Sequence, residues 1–354
     1  MNKQRIDLSS DTVTQPTAAM RDVMAQAKVG DEQKNEDPTV KQLLDKVTTL
    51  LGKKAAIFVP SGTMCNLIAI KVHILPGDAI ILARNAHMLY AEAGGLAAYG
   101  GAIATPLESP RGIFTVDQVE EAICPRGRYF ARSAMISIEQ TTNLGGGACW
   151  TLKNMSDICK LAHQHGIKTH LVGARLMNAV IKTGIPAHEF AAPFDSVWIS
   201  LTKGLGGNFG AVLAGSEDFI ENAWRHKQQL GGAMRQVGIE AAGGIYALDN
   251  HITRLTEDHQ NAKLLAVGLS QIQGIVVNPD DCETNIVLFK LHPTIDISVE
   301  EFINTMKSNY GISFFAPSST TIRAMTHLHI STADIELTLQ CIERFLKSLH
   351  FATL

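Results

Sequence analysis

The run AAIFVPSGTMCNLIAIKVHIL, Ala55 to Leu75, joins two periodicities across one tight turn. AAIFV (55–59) is a short apolar run with the length and residue types of a buried strand. Pro-Ser-Gly stops it, and TMCNLIAIKVHIL continues with a helical pattern. A strand, a turn and a helix start in that order place backbone N–H groups and the Thr63 hydroxyl around Gly62, a ready anion site at a helix N-terminus. Many such turns only cap a helix.

The same alternation spreads outward. GDAIILA (77–83) and AMISIEQ (134–140) read as strands, and TLKNMSDICKLAHQHG reads as a helix leading into the strand KTHLV. FDSVWISLT and FGAVLAG complete the series. Strands alternating with helices predict an α/β fold, a mostly parallel sheet with helices on both faces. Ligands in such sheets bind at the carboxyl ends of the strands. From about Ile245 the character changes to a long amphipathic stretch, YALDNHITRLTEDHQNAKLLAVGLSQI, then short strands with helices. We expect a large domain over 1–245, with an N-terminal arm, and a smaller C-terminal α+β domain over 246–354.

Composition narrows the function classes. The 354 residues are 45% hydrophobic and 18% charged, with a net charge of -3, which suits an ordinary globular chain and disfavours a nucleic-acid binder. Six scattered cysteines with no CxxC pair predict reduced thiols and neither a disulfide frame nor a metal site. MNKQRIDLSSDTVTQPT has no apolar core, so no signal peptide is expected. No apolar run approaches the ~18 to 20 residues of a membrane span, and a cytoplasmic location is the expectation.

SLTKGLGGNFGA (200–211) carries the sharpest chemical signal. A lysine is ordinarily a surface residue. Lys203, however, follows an apolar strand that would desolvate its amine, and the glycines beyond it leave room for a ligand. A desolvated lysine amine forms Schiff bases, the attachment used by pyridoxal phosphate. NAHMLYAEAGG (85–95) offers His87, whose imidazole could stack on a pyridine ring or simply pack.

Taken together, DLSSDTVTQPT, GDEQKNEDPTV, FVPSGTMCNL, AHMLYAEAGG, HLVGAR, SLTKGLG, GGAMRQ and RAMTH resemble, in order and spacing, the low-specificity L-threonine aldolases. That family belongs to the fold-type-I pyridoxal-phosphate enzymes. The resemblance spans nearly the whole chain. It implies a seven-stranded sheet, a small C-terminal domain, a small amino-acid substrate, and a homotetramer or homodimer with shared sites. It also implies roles. Lys203 is the Schiff-base lysine and His87 stacks on the cofactor ring. Gly62 and Thr63 hold the phosphate, with Arg235 helping from a neighbouring subunit. Ser10, Arg175 and Arg323 bind the substrate carboxylate, which a planar guanidinium matches well; a salt bridge is the plainer reading of Arg175.

Several positions depart from the family pattern. HLDGAR is HLVGAR here, so Val172 replaces the aspartate that pairs with the pyridine nitrogen. ENTHN is EQTTN, placing Thr142 where a histidine contacts the substrate hydroxyl. Lys34 stands for a tyrosine, Ser9 for an arginine, and Gln228, with Lys227 beside it, for a phosphate-binding lysine. Three readings stay open: a threonine aldolase of altered or weakened activity, a different lyase acting on β-substituted amino acids, and a cofactor-binding protein without significant turnover.

Overall fold

The computed structural model describes residues 5–350; the first residues of the segment read for a leader, and the last four of the C-terminal domain, lie outside the described residues. The described chain divides into two units. The larger comprises Gln15–Gly145 and Cys149–Ile252. The smaller comprises 5–14, 146–148 and 253–350. The division at 252/253 differs from the expected boundary because residue 245 falls inside the helix Gly238–Asn250. The N-terminal arm groups with the smaller unit.

The larger unit is built on a seven-stranded sheet. Its spatial order is Ala55–Val59, Ala211–Gly215, Ser196–Ser200, Lys168–Gly173, Ser133–Glu139, Ala79–Ala83 and Ile103–Leu107. Every pairing is parallel except the two made by Ala211–Gly215. The central strands are buried along their length, which is why they read as unbroken apolar runs rather than alternating ones. Helices begin where the sequence supplies caps. Asp37 accepts from the N–H groups of Thr39 and Val40 ahead of Pro38–Leu51, and Gly52 ends that helix at φ +62°. Ser61 accepts from Met64 N–H at the start of Gly62–His73.

The smaller unit has a four-stranded antiparallel sheet, Phe315–Ser318, Thr321–Met325, Ile286–Leu291 and Ile275–Val276. Its core gathers Leu265, Leu269, Phe289, Phe302, Phe314 and Phe345. Ile6–Asp7 pairs in parallel with Ile312–Ser313. Among the described residues no helix is long and apolar enough to cross a membrane.

Candidate active site

Three neighbouring strands set the site by register. Glu139, Val172 and Trp198 lie side by side across them, and two residues earlier so do Ser137, His170 and Ser196. Side chains two apart in a strand share a face. This face meets the helix Gly62–His73: Trp198 Nε1 donates to Asn66 Oδ1 at 2.7 Å, and His170 Nε2 lies 3.2 Å from the same oxygen. Val172 is the one aliphatic side chain in that patch of six.

Lys203 follows the Trp198 strand. Its turn is closed by Gly206 N–H on the Lys203 carbonyl and Gly207 N–H on the Leu201 carbonyl, both at 2.7 Å. A Cβ at Gly207 would stand 2.4 Å from that Leu201 oxygen, so the backbone approach itself requires glycine. The half-buried amine of Lys203 sits 5.5 Å above the centre of the Trp198 ring. Cys65, fully buried nearby, is inert: burial, then Glu92, push its thiol well up, with Lys203 opposing.

Gly62 and Thr63 open their helix with N–H groups that have no acceptor among the described residues, as an anion site needs. A Cβ on Gly62 would come within 2.2 Å of Trp198 Cη2, so the indole as well as any phosphate dictates glycine there. His87 starts the short helix His87–Tyr90. Its Nδ1 lies 2.8 Å from Glu92 Oε1, and its backbone N–H donates to Glu139. Asn66 Nδ2 reaches the same Glu92 oxygen at 2.7 Å. Trp198 is therefore a hub: it touches Lys203, bounds Gly62 and connects through Asn66 and Glu92 to His87. Nothing in the sequence distinguished it from an ordinary core tryptophan.

The two main departures share one cavity. Val172 and Thr142 line a space of about 10 Å³ together with Ser137, Glu139, Met88 and Phe114, room for about one water. Thr142 is buried, and its Oγ1 has no hydrogen-bond partner. Glu139 does not fill the gap left by the absent aspartate, because its two oxygens accept from the N–H groups of His87 and Asn143.

Other candidates fall in various places. Arg175 is buried at the start of the helix Leu176–Thr183, at the carboxyl end of the Val172 strand. Arg235 is exposed and bonded to Asp31 at 2.8 Å. Lys227 is fully buried on Glu32 at 2.5 Å, with Trp224 4.3 Å below it, and is not free to take a phosphate; Gln228 and Lys34 are exposed. Ser10 and Arg323 belong to the smaller unit. There Ser10 caps the turn Asp11–Val13, and buried Arg323 lies over the Phe315 ring and donates to the Ser9 carbonyl.

The buried histidines predict acid sensitivity. Burial, then the charge of His73, pulls His170 down to about 3. Burial also pulls His73 down to about 4, with Asp195 opposing. Below ~6.5 the unfolded chain binds protons at these positions while the folded chain does not, so stability falls as pH falls through that window, at most by ~1.4 kcal/mol per unit for His170. Asp258, which burial raises to about 6, works the opposite way over the same range. Urea unfolding between pH 6.5 and 4 should show a net loss, with a shallower slope in His73→Gln. Slopes that are flat in both proteins contradict the expectation.

The fold is that of the fold-type-I pyridoxal-phosphate enzymes, and the chain is a lyase dependent on that cofactor. Residues 7–292 match the beta-eliminating lyase family, and the chain belongs to it. It is 38% identical to low-specificity L-threonine aldolase 1 of Arabidopsis thaliana over 97% of both chains. It is 37% identical to the low specificity L-threonine aldolase of Escherichia coli, covering 93% of this chain and 96% of that one. The solved Leishmania major threonine aldolase superposes with a TM-score of 0.82 at 22% identity, over 96% of this chain and 99% of that one.

Proposed function

We propose that the protein cleaves L-threonine or L-allo-threonine to glycine and acetaldehyde, at a rate lowered by Val172 and Thr142. The observation that carries this is the arrangement about Trp198, with Lys203 above the indole, the open N–H groups of Gly62 and Thr63 beside it, and His87 tied in through Asn66. These residues fit the cofactor at its aldehyde, phosphate and ring face. The donor set lacks an anion for the ring nitrogen, and Gln228 stands where the family has a phosphate-binding lysine. Bound there, the cofactor would supply an electron sink for cleavage at the α-carbon. The Lys203 amine would attach it, the N–H groups of Gly62 and Thr63 would take its phosphate, and His87 would pack on its ring. Arg175 takes the substrate carboxylate. Arg235 acts from a second subunit of a homotetramer, a role suited to its exposed position. Six free cysteines suit a reducing, cytoplasmic setting.

A second reading, a lyase for another β-substituted amino acid, draws support from Val172 and Thr142 sharing one cavity. In both readings, borohydride reduction of the loaded protein places the cofactor mass on the Lys203 peptide. Mass on Lys53 or Lys54 overturns the assignment. Steady-state turnover on a panel of β-hydroxy amino acids then separates the two.

A further inference from the structure

A chain of hydrogen bonds runs through the core of the larger unit to His87. His73 Nε2 lies 2.7 Å from Ser196 Oγ, and the same hydroxyl lies 2.7 Å from His170 Nδ1. His170 Nε2 meets Asn66 Oδ1, Asn66 Nδ2 meets Glu92 Oε1, and Glu92 Oε1 meets His87 Nδ1. Asn66, Glu92, His170 and Ser196 are all buried.

The direction of the bonds from His73 to Glu92 follows from Trp198, and the carboxylate, which only accepts, sets the last one. An indole N–H only donates, so the Asn66 atom 2.7 Å from it is the carbonyl oxygen. That oxygen only accepts, so His170 carries its proton on Nε2. His170 is neutral under ordinary conditions, its basicity suppressed by burial, and its Nδ1 therefore accepts. Ser196 supplies that hydrogen, and its own oxygen then accepts from His73 Nε2–H. At the other end the Asn66 amide donates to Glu92. From His73 to Asn66 every donor points toward Glu92, His87 donates back from the other side, and two donors converge on a single carboxylate oxygen. The other, Glu92 Oε2, is buried with no hydrogen-bond partner. Aligned chains of this kind polarise one another, and buried polar groups left partly unsatisfied are held in place only where the surroundings insist.

We infer that Glu92 and Asn66 are positioning residues that fix the His87 ring, with Nδ1–H on Glu92 and Nε2 turned to the face where the cofactor packs. The clause about the cofactor rests on the function proposed above; the fixed tautomer does not. With its Nδ1 so held, His87 can change neither ring flip nor tautomer without breaking its contact to the buried Glu92 carboxylate.

The test uses cofactor-free protein labelled with nitrogen isotope at mildly alkaline pH. Long-range proton–nitrogen NMR reads which ring nitrogen of each histidine carries the proton. The expected pattern is Nδ1–H for His87 and Nε2–H for His170 and His73. Glu92→Gln keeps the His87 pattern, because the amide carbonyl still accepts. Glu92→Leu moves His87 to Nε2–H or to an averaged signal, a change that a merely space-filling role for Glu92 would not produce. A wild-type His87 protonated on Nε2, or a His170 protonated on Nδ1, overturns the inference, as does an unmoved His87 signal in folded Glu92→Leu. If Glu92→Leu does not fold, the wild-type pattern alone decides. Failure of borohydride to mark Lys203 would remove the functional reading and leave this result standing.

Discussion

Glu32→Gln lowers the unfolding free energy by about 3 to 5 kcal/mol, the range for removing one partner of a buried ion pair. Lys227 is fully buried and Glu32 nearly so, and their 2.5 Å contact is the main compensation for the buried ammonium. Burial pulls the Lys227 amine down and Glu32 opposes that pull. The glutamine keeps the shape and removes the charge, so the loss reports electrostatics rather than a cavity. Glu32 also accepts from Met234 N–H, and its own N–H donates to the Arg235 carbonyl, so the pair lies beside the loop that presents Arg235. Pairing it with Lys227→Met should recover most of the loss, since well-packed apolar side chains commonly replace a buried pair at little cost. Chemical denaturation of both variants measures this. A loss under about 1 kcal/mol in Glu32→Gln would mean that the pair behaves like a surface bridge.

Val172→Asp should raise retro-aldol turnover roughly tenfold or more, each tenfold being ~1.4 kcal/mol of barrier. The introduced carboxylate would face the ring nitrogen and favour its protonated form, because an opposite charge at hydrogen-bond range stabilises the charged state. The structure adds a second arm. Val172 lies in register with Glu139, on a neighbouring strand ~4.8 Å away, in a cavity with room for one water. Without cofactor, the new carboxylate is desolvated beside a like charge and the protein loses stability. With cofactor it gains a cationic partner. Cofactor addition should therefore raise the melting temperature more in the variant than in the wild type. Turnover that stays level in a folded, loaded variant, on every β-hydroxy amino acid tried, points to a site rebuilt around a neutral ring and so to the second reading. Adding Thr142→His should raise turnover further only if that position handles the substrate hydroxyl.

The strands that carry this chemistry were legible because they are buried on both faces, and Lys168–Gly173 and Ser196–Ser200 also stop at glycine and serine. The seventh, Ile103–Leu107, was not. It is a half-exposed edge strand containing Pro106, and an edge tolerates a residue that breaks the apolar pattern. The amphipathic run from Tyr246 reads as continuous, yet it breaks between Asn250 and Leu255, where His251 is held by the Leu205 carbonyl. Lys203 and the Gly62 turn announce themselves through local pattern. Asn66, Trp198 and the Lys227–Glu32 pair do not, because their meaning is their partners. Glu32 and Lys227 stand 195 positions apart, and no local window contains both.

The pairing of Ile6–Asp7 with Ile312–Ser313 has a consequence for synthesis. Leu8 donates to the Ser313 carbonyl and accepts from Met325 N–H, so among the described residues the first strand finds its partners among nearly the last. Everything the larger unit needs, from Gln15 to Ile252, has left the ribosome long before that. Domains generally fold as units during translation, N-terminal ones first. The arm that carries Ser10 therefore waits unpaired while the sheet that leads into Lys203 forms, and the smaller unit folds last, as a late step of long loop closure rather than part of the first collapse.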